Sequence, residues 1–121
     1  MKILLVSDSH GYDDELKKKV LENVKCDLKI HCGDSCFDEN SPFIKEFAAI
    51  VDGNHDQGFF PLTTTLPTAL GNILITHGHK FNVYAGYDYL VDYMNKADIH
   101  ICFHGHTHVP HYEIYKNKNI Y

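Results

Sequence analysis

Arginine and tryptophan are absent from the 121 residues. Without arginine there is no guanidinium fork for bidentate phosphate recognition. The 11 basic residues are therefore all lysine, set against 16 carboxylates for a formal charge of −5. That balance excludes a protein that grips nucleic acid nonspecifically, which needs a basic face. Nucleic acid stays in view only as a phosphodiester substrate. Long apolar runs are missing too. The first stops at Val6, before Ser7-Asp8-Ser9-His10, whereas a secretory signal core needs about 7–15 apolar residues and a membrane span about 18. A cytoplasmic protein with no membrane partner is expected, with reduced thiols at Cys26, Cys32, Cys36 and Cys102. No second cysteine pair joins Cys32 and Cys36 to complete a thiolate zinc site, so the cysteines read as small buried hydrophobes. There is no repeat and no low-complexity linker, and the length suits one domain over residues 1–121.

The apolar residues that are present form short, ordered segments. Ile3-Leu4-Leu5-Val6 is a strand buried on both faces. Residues 13–25 read as a helix with Leu16, Val20, Leu21 and Val24 along its apolar stripe and an exposed lysine run at 17–19. Strands are predicted at 28–32 and 48–51, separated by a short helix with Ser41 as N-cap and Pro42 at its first position. This β-α-β-α-β start implies a parallel sheet covered by helices. A hairpin follows, with an extended Thr-rich arm at 62–70, a turn at Gly71-Asn72 and a strand at 73–76. Then come a helix over 87–97, a strand over 98–103 and a last hairpin at 111–115 and 119–121 around Lys116-Asn117-Lys118. The fold class is α/β, opening β-α-β-α-β and continuing into a mixed sheet.

Ten histidines are many for this length, and six of them lie in loops that follow strands. Successive strands run into Asp8-Ser9-His10, Gly33-Asp34, Gly53-Asn54-His55-Asp56, His77-Gly78-His79 and Gly105-His106-Thr107-His108. Ligands of open α/β sheets gather beyond the carboxyl ends of the strands, so these segments converge on one rim. The donors are imidazole nitrogens, carboxylates and an amide oxygen, which suit Mn, Fe, Co, Ni, Zn and Mg. They are too many for one tetrahedral ion but fit two ions sharing a carboxylate, a pair that can hold a bridging hydroxide and clamp a phosphoryl group.

These five segments, in this order, resemble the calcineurin-like metallophosphoesterase family, with the length and spacing of its small prokaryotic phosphodiesterase branch. That branch is also similar to a retromer subunit. The resemblance runs from Met1 to about Pro110. It implies a layered β-sandwich flanked by helices and a dinuclear phosphoesterase, with a phosphodiester or small phosphate-ester substrate and two divalent ions, manganese foremost. It places Asp8, His10, Asp34 and His108 on one metal, and Asp34 as the bridge to a second held with Asn54, His77 and His106. His55 would stand near the leaving-group oxygen as a general acid, or stabilise the negative charge that develops there.

Other residues take plainer readings. His79 lies outside the ligand set and orients a ligand or contacts phosphate. His104 is a packed or hydrogen-bonded strand end, and His31, His100 and His111 are structural. Asp56 is a turn or cap residue, and with no arginine after it Asp38 receives no role. Phe59, Phe60, Phe81, Tyr84 and Tyr87 are expected to pack, and Lys80 is a candidate contact for phosphate. Members of the branch continue beyond the Gly-His-Thr-His loop with more strand, so the usual C-terminal strands are expected to be missing and a homo-oligomer could cover the open edge. The competing readings are a catalytically silent, metal-binding scaffold of retromer-subunit type, and a metal buffer that merely uses the histidines.

Overall fold

The computed structural model describes residues 2–121, the side chain of Lys19 excepted. Two sheets stack with helical segments outside each. The first sheet contains β1 (Ile3–Val6), β2 (Leu28–His31) and β3 (Ala49–Ile50), all parallel in the order β1-β2-β3. The second contains β4 (Thr63–Thr68), β5 (Gly71–Thr76), β6 (Ile101–Phe103), β7 (Glu113–Tyr115) and β8 (Lys118–Ile120) in the order β4-β5-β6-β8-β7. Its β5-β6 and β6-β8 pairs are parallel, and its outer pairs are antiparallel hairpins.

Side-chain alternation along the strands builds three apolar layers. Ile30, Cys32 and Val51 from the first sheet meet Ile73, Ile75 and Phe103 from the second between the sheets. Outside the second sheet, Leu74, Cys102 and Ile120 pack with Leu90, Val91 and Met94 of α2 (Asp88–Ala97). Outside the first, Ile50 packs with Leu16, Phe37 and Phe47. The structure is thus the expected mixed sandwich flanked by helices. Among the described residues, no helix is long and apolar enough to cross a membrane.

Several local expectations shift. The first helix is shorter than 13–25: α1 (Asp13–Leu16) passes into a π-wound turn, Lys17–Leu21, in which the Glu22 amide donates to the Lys17 carbonyl at 3.0 Å. The wider winding brings positions i+4 and i+5, Val20 and Leu21, to the side of Leu16, where all three join one cluster. Lys17 and Lys18 are exposed; the Lys19 side chain lies outside the described residues. The second helix contracts to a 3-10 turn, Ile44–Glu46, and the Ser41 hydroxyl accepts the Phe43 amide at 3.3 Å. In the β4-β5 hairpin the turn is at Ala69-Leu70, and Gly71-Asn72 already belongs to β5. Asp98 is the left-handed C-cap of α2 rather than a strand residue. Lys118 begins β8 instead of lying in the turn, its buried amine donating to the Ile99 carbonyl at 2.8 Å.

Cys32 and Cys102 are buried as expected, but Cys36 is exposed. Burial, followed by the charge of Asp8, pushes the Cys32 thiol up to about 12.

Candidate metal centre

The strands β1, β2, β3, β5 and β6 all present their carboxyl ends on one rim, and the loops that follow them are stitched together there. The Asp8 amide donates to the Gly33 carbonyl at 2.9 Å, the His10 amide to the Asp34 carbonyl at 2.8 Å and the Gly105 amide to the His77 carbonyl at 3.1 Å. Asp56 ties the second and third loops. Its Oδ2 accepts the amides of Asp34 and Gly53 at 2.8 and 2.7 Å, and its Oδ1 accepts that of Cys36 at 2.8 Å. The turn role expected of Asp56 is thereby a junction between two loops. Gly33, at φ +100, permits the close approach of the centre: a Cβ there would sit 2.7 Å from His77 Nδ1.

Within this frame two groups of donors form. Asp8, His10 and His108 offer atoms all within 4.8 Å of one another, as do Asp8, Asp34 and His77. Asp8 Oδ1 stands 3.1 Å from His108 Nε2, 3.6 Å from His77 Nε2 and 3.8 Å from His10 Nε2. Asp34 Oδ2 stands 3.2 Å from His77 Nε2 and 3.7 Å from His10 Nε2. Both carboxylates therefore face both groups, where the resemblance implies Asp34 alone as the bridge.

His106 reaches the centre at its edge. Its ring lies 5.0 Å from that of His77 and 4.5 Å from that of Tyr84, and its amide donates to Asp8 Oδ2 at 3.1 Å. Tyr84 is exposed rather than packed, and its hydroxyl donates to the His106 carbonyl at 2.8 Å. Asn54 and His55 are exposed on the third loop. The His55 ring is 5.3 Å from that of His10, and the His55 amide donates to Asp34 Oδ1 at 2.9 Å.

Asp8, His10, Asp34, His106 and His108 all adopt left-handed backbone, with φ of 55°, 47°, 56°, 75° and 60°. For residues with a Cβ that conformation costs about 1–2 kcal/mol each. Strain persists where the surroundings over-determine it, and it concentrates at functional sites.

Whether the site suits a cation is decided by its unpaired atoms. Asp8 Oδ1, His10 Nε2 and His77 Nε2 are buried with no hydrogen-bond partner among the described residues, a deficit of about 1–3 kcal/mol per group. His77 is fully buried, and its Nδ1 donates to the Cys32 carbonyl at 2.8 Å. In the neutral ring the Nε2 lone pair is thereby aimed at two carboxylates. A divalent cation among these atoms would be held by lone pairs that otherwise face one another. Burial first, then the neighbouring His77, holds the pKa of His106 and His79 below the ordinary histidine value, so both rings keep a free lone pair near neutral pH. Among the described residues His79 Nδ1 is also buried without a hydrogen-bond partner, and its ring lies 5.5 Å from that of His77.

The remaining histidines divide by environment. His104 Nδ1 donates to the Gly105 carbonyl at 2.7 Å and Nε2 accepts the Tyr87 hydroxyl at 3.0 Å, a hydrogen-bonded strand end as expected. His100 and His111 are exposed beside Asp98 and Glu113. His31 is fully buried, and its pKa is lowered to about 4 by burial. The unfolded chain binds a proton near 6.5 that the folded ring refuses. The stability that depends on His31 is therefore complete above pH 6.5 and drains away as pH falls toward 4. Urea unfolding of the metal-free protein should lose about 3 kcal/mol across that window through this residue. An unchanged midpoint between pH 7 and pH 5 would count against the buried, neutral ring.

Residues 1–120 match the calcineurin-like phosphoesterase superfamily domain. The chain is 36% identical to "Probable metallophosphoesterase YsnB" of Bacillus subtilis (strain 168), over 98% of this chain and 70% of that protein. It superposes on the crystal structure of a predicted phosphoesterase from Streptococcus pneumoniae TIGR4 with a TM-score of 0.87 and 28% identity, covering 98% of this chain and 69% of that one. Wild-type Vps29 of Entamoeba histolytica complexed with Zn²⁺ shares the fold, with a TM-score of 0.79 and 20% identity over 99% of this chain and 72% of that one.

Proposed function

The chain belongs to the calcineurin-like phosphoesterase superfamily, and from that premise we propose that it hydrolyses phosphate esters, phosphodiesters foremost, with two divalent metal ions. The observation that carries this reading is the convergence of the unpartnered buried atoms Asp8 Oδ1, His10 Nε2 and His77 Nε2. Asp8, His10, Asp34 and His108 would hold one ion, and Asp34, Asn54, His77 and His106 the other. Asp8 is common to both close donor groups and Asp34 Oδ2 faces both His10 and His77, so each is suited to bridge. The donor set suits borderline and hard divalent ions, and the family resemblance puts manganese foremost among them. Such ions supply a water acidic enough to attack near neutral pH and positive charge for the phosphoryl oxygens.

The chain's own residues do the rest. His55, exposed beside His10, hands a proton to the departing oxygen. Its amide grips Asp34 Oδ1, so acid and carboxylate keep a common register. With arginine absent from the sequence, phosphate orientation falls to the metal rim and the neighbouring imidazoles. The unit proposed to act is residues 1–121 as one metallophosphoesterase domain, working in the cytoplasm.

The test strips the protein of metal, restores Mn²⁺, Zn²⁺ or Mg²⁺, and follows bis(p-nitrophenyl) phosphate and p-nitrophenyl phosphate. Turnover that returns with Mn²⁺, faster on the diester, at two ions per chain by metal analysis is the expected result. Two bound ions with no turnover of either ester would favour the silent scaffold instead.

A further inference from the structure

His31 takes no part in the chemistry above, yet it touches the loops that carry it. We propose that His31 is a positioning residue: a buried clamp that holds the Asp8-Ser9-His10 loop against the Gly33-Asp34 loop in their metal-binding conformation. The inference rests on the metal-site half of the proposed function and not on ester hydrolysis.

The ring stands at the end of β2, fully buried. Its Nδ1 accepts the Gly33 amide at 3.1 Å. In the neutral ring the proton then sits on Nε2, which donates to the Ser9 hydroxyl oxygen at 2.9 Å. Phe37 and Phe47 meet the ring edge-on, with centroids 5.5 and 5.4 Å away, and fix its plane. One rigid side chain therefore joins two loops that are distant in sequence. Ser9 lies between Asp8 and His10, and Gly33 immediately precedes Asp34. These are the residues held at φ of 55°, 47° and 56°. The backbone bonds Asp8 to Gly33 and His10 to Asp34 tie the same loops, and His31 secures them from the core side.

An apolar ring could fill the space between Phe37 and Phe47 but would leave the Gly33 amide and the Ser9 hydroxyl unpaired. The loops could then relax from the left-handed region, and binding an ion would have to reorder them.

The experiment compares wild type with His31→Phe, His31→Gln and Ser9→Ala. It measures the melting temperature and Gly33 amide exchange of each metal-free protein, and its Mn²⁺ affinity by calorimetry. His31→Phe should keep most of the melting temperature, exchange the Gly33 amide faster and bind Mn²⁺ about tenfold more weakly. His31→Gln, whose carboxamide offers both a donor and an acceptor, should recover much of that affinity. Ser9→Ala should weaken Mn²⁺ binding by a few-fold. A residue important only for packing would shift the melting temperature and leave affinity alone. Wild-type Mn²⁺ affinity in folded His31→Phe overturns the proposal. Should that variant not fold, wild-type affinity in Ser9→Ala overturns it. If wild type binds Mn²⁺ but hydrolyses no ester, the catalytic reading falls while the affinity comparison still decides on the clamp.

Discussion

Asp34→Asn should lower metal-dependent hydrolysis by about a thousandfold, equivalent to about 4 kcal/mol of transition-state stabilisation. Asp34 is almost wholly buried, and its Oδ2 faces His77 Nε2 at 3.2 Å and His10 Nε2 at 3.7 Å. The amide has the same shape, and its oxygen can still accept the His55 amide in place of Oδ1. What disappears is one negative charge shared by both donor groups. The metal-free variant should melt no lower than wild type, because a buried carboxylate lacking a cation partner is itself a cost. Wild type should gain about 3 kcal/mol from a tightly bound ion at a hundred times its dissociation constant, and the variant should lose most of that gain. Calorimetric titration with Mn²⁺ alongside thermal unfolding separates these effects. Full activity with two ions bound would remove Asp34 from the centre.

His55→Ala should keep both ions and slow turnover by about 10²–10⁴-fold for an alkyl ester, whose leaving oxygen needs a proton. The loss should be much smaller for p-nitrophenyl esters, whose leaving group departs as a stable anion. This contrast follows from the separate placement of the two parts of the residue. The His55 amide holds Asp34, whereas its ring is on the exposed side next to His10. Alanine removes the ring and keeps the amide, so Asp34 should stay in place. An equal loss on both leaving groups, or loss of metal, would make His55 a residue that supports the ligands.

Much of this could be read in advance because the signals are local. Short apolar runs ending in Asp, Asn, His and Gly mark strands that feed loops, and a parallel sheet gathers such loops on one edge. The donor types limit the ion. Other features had no local signal. The roles of His31 and Asp56 depend on partners more than twenty residues away in sequence, as in the Ser9-His31 and Asp34-Asp56 bonds. A histidine between Ile30 and Cys32 at the end of a strand is the available hint for His31, since a buried polar group must find partners. The π-wound turn after α1 is similar: the spacing puts Leu16, Val20 and Leu21 on one stripe, but the winding that aligns them follows from the cluster they enter.

By itself, the sequence determined the class of the sheet, the rim on which its polar loops meet and the nitrogen and oxygen donors offered there. Each depends on the alternation and identity of near neighbours. Tertiary structure alone decided that Asp8 as well as Asp34 faces both donor groups, that His77 Nδ1 is committed to the Cys32 carbonyl and that Asp8, His10 and Asp34 are held left-handed. Those properties arise from burial and from bonds between distant loops, and together they leave the partnerless atoms that call for a cation.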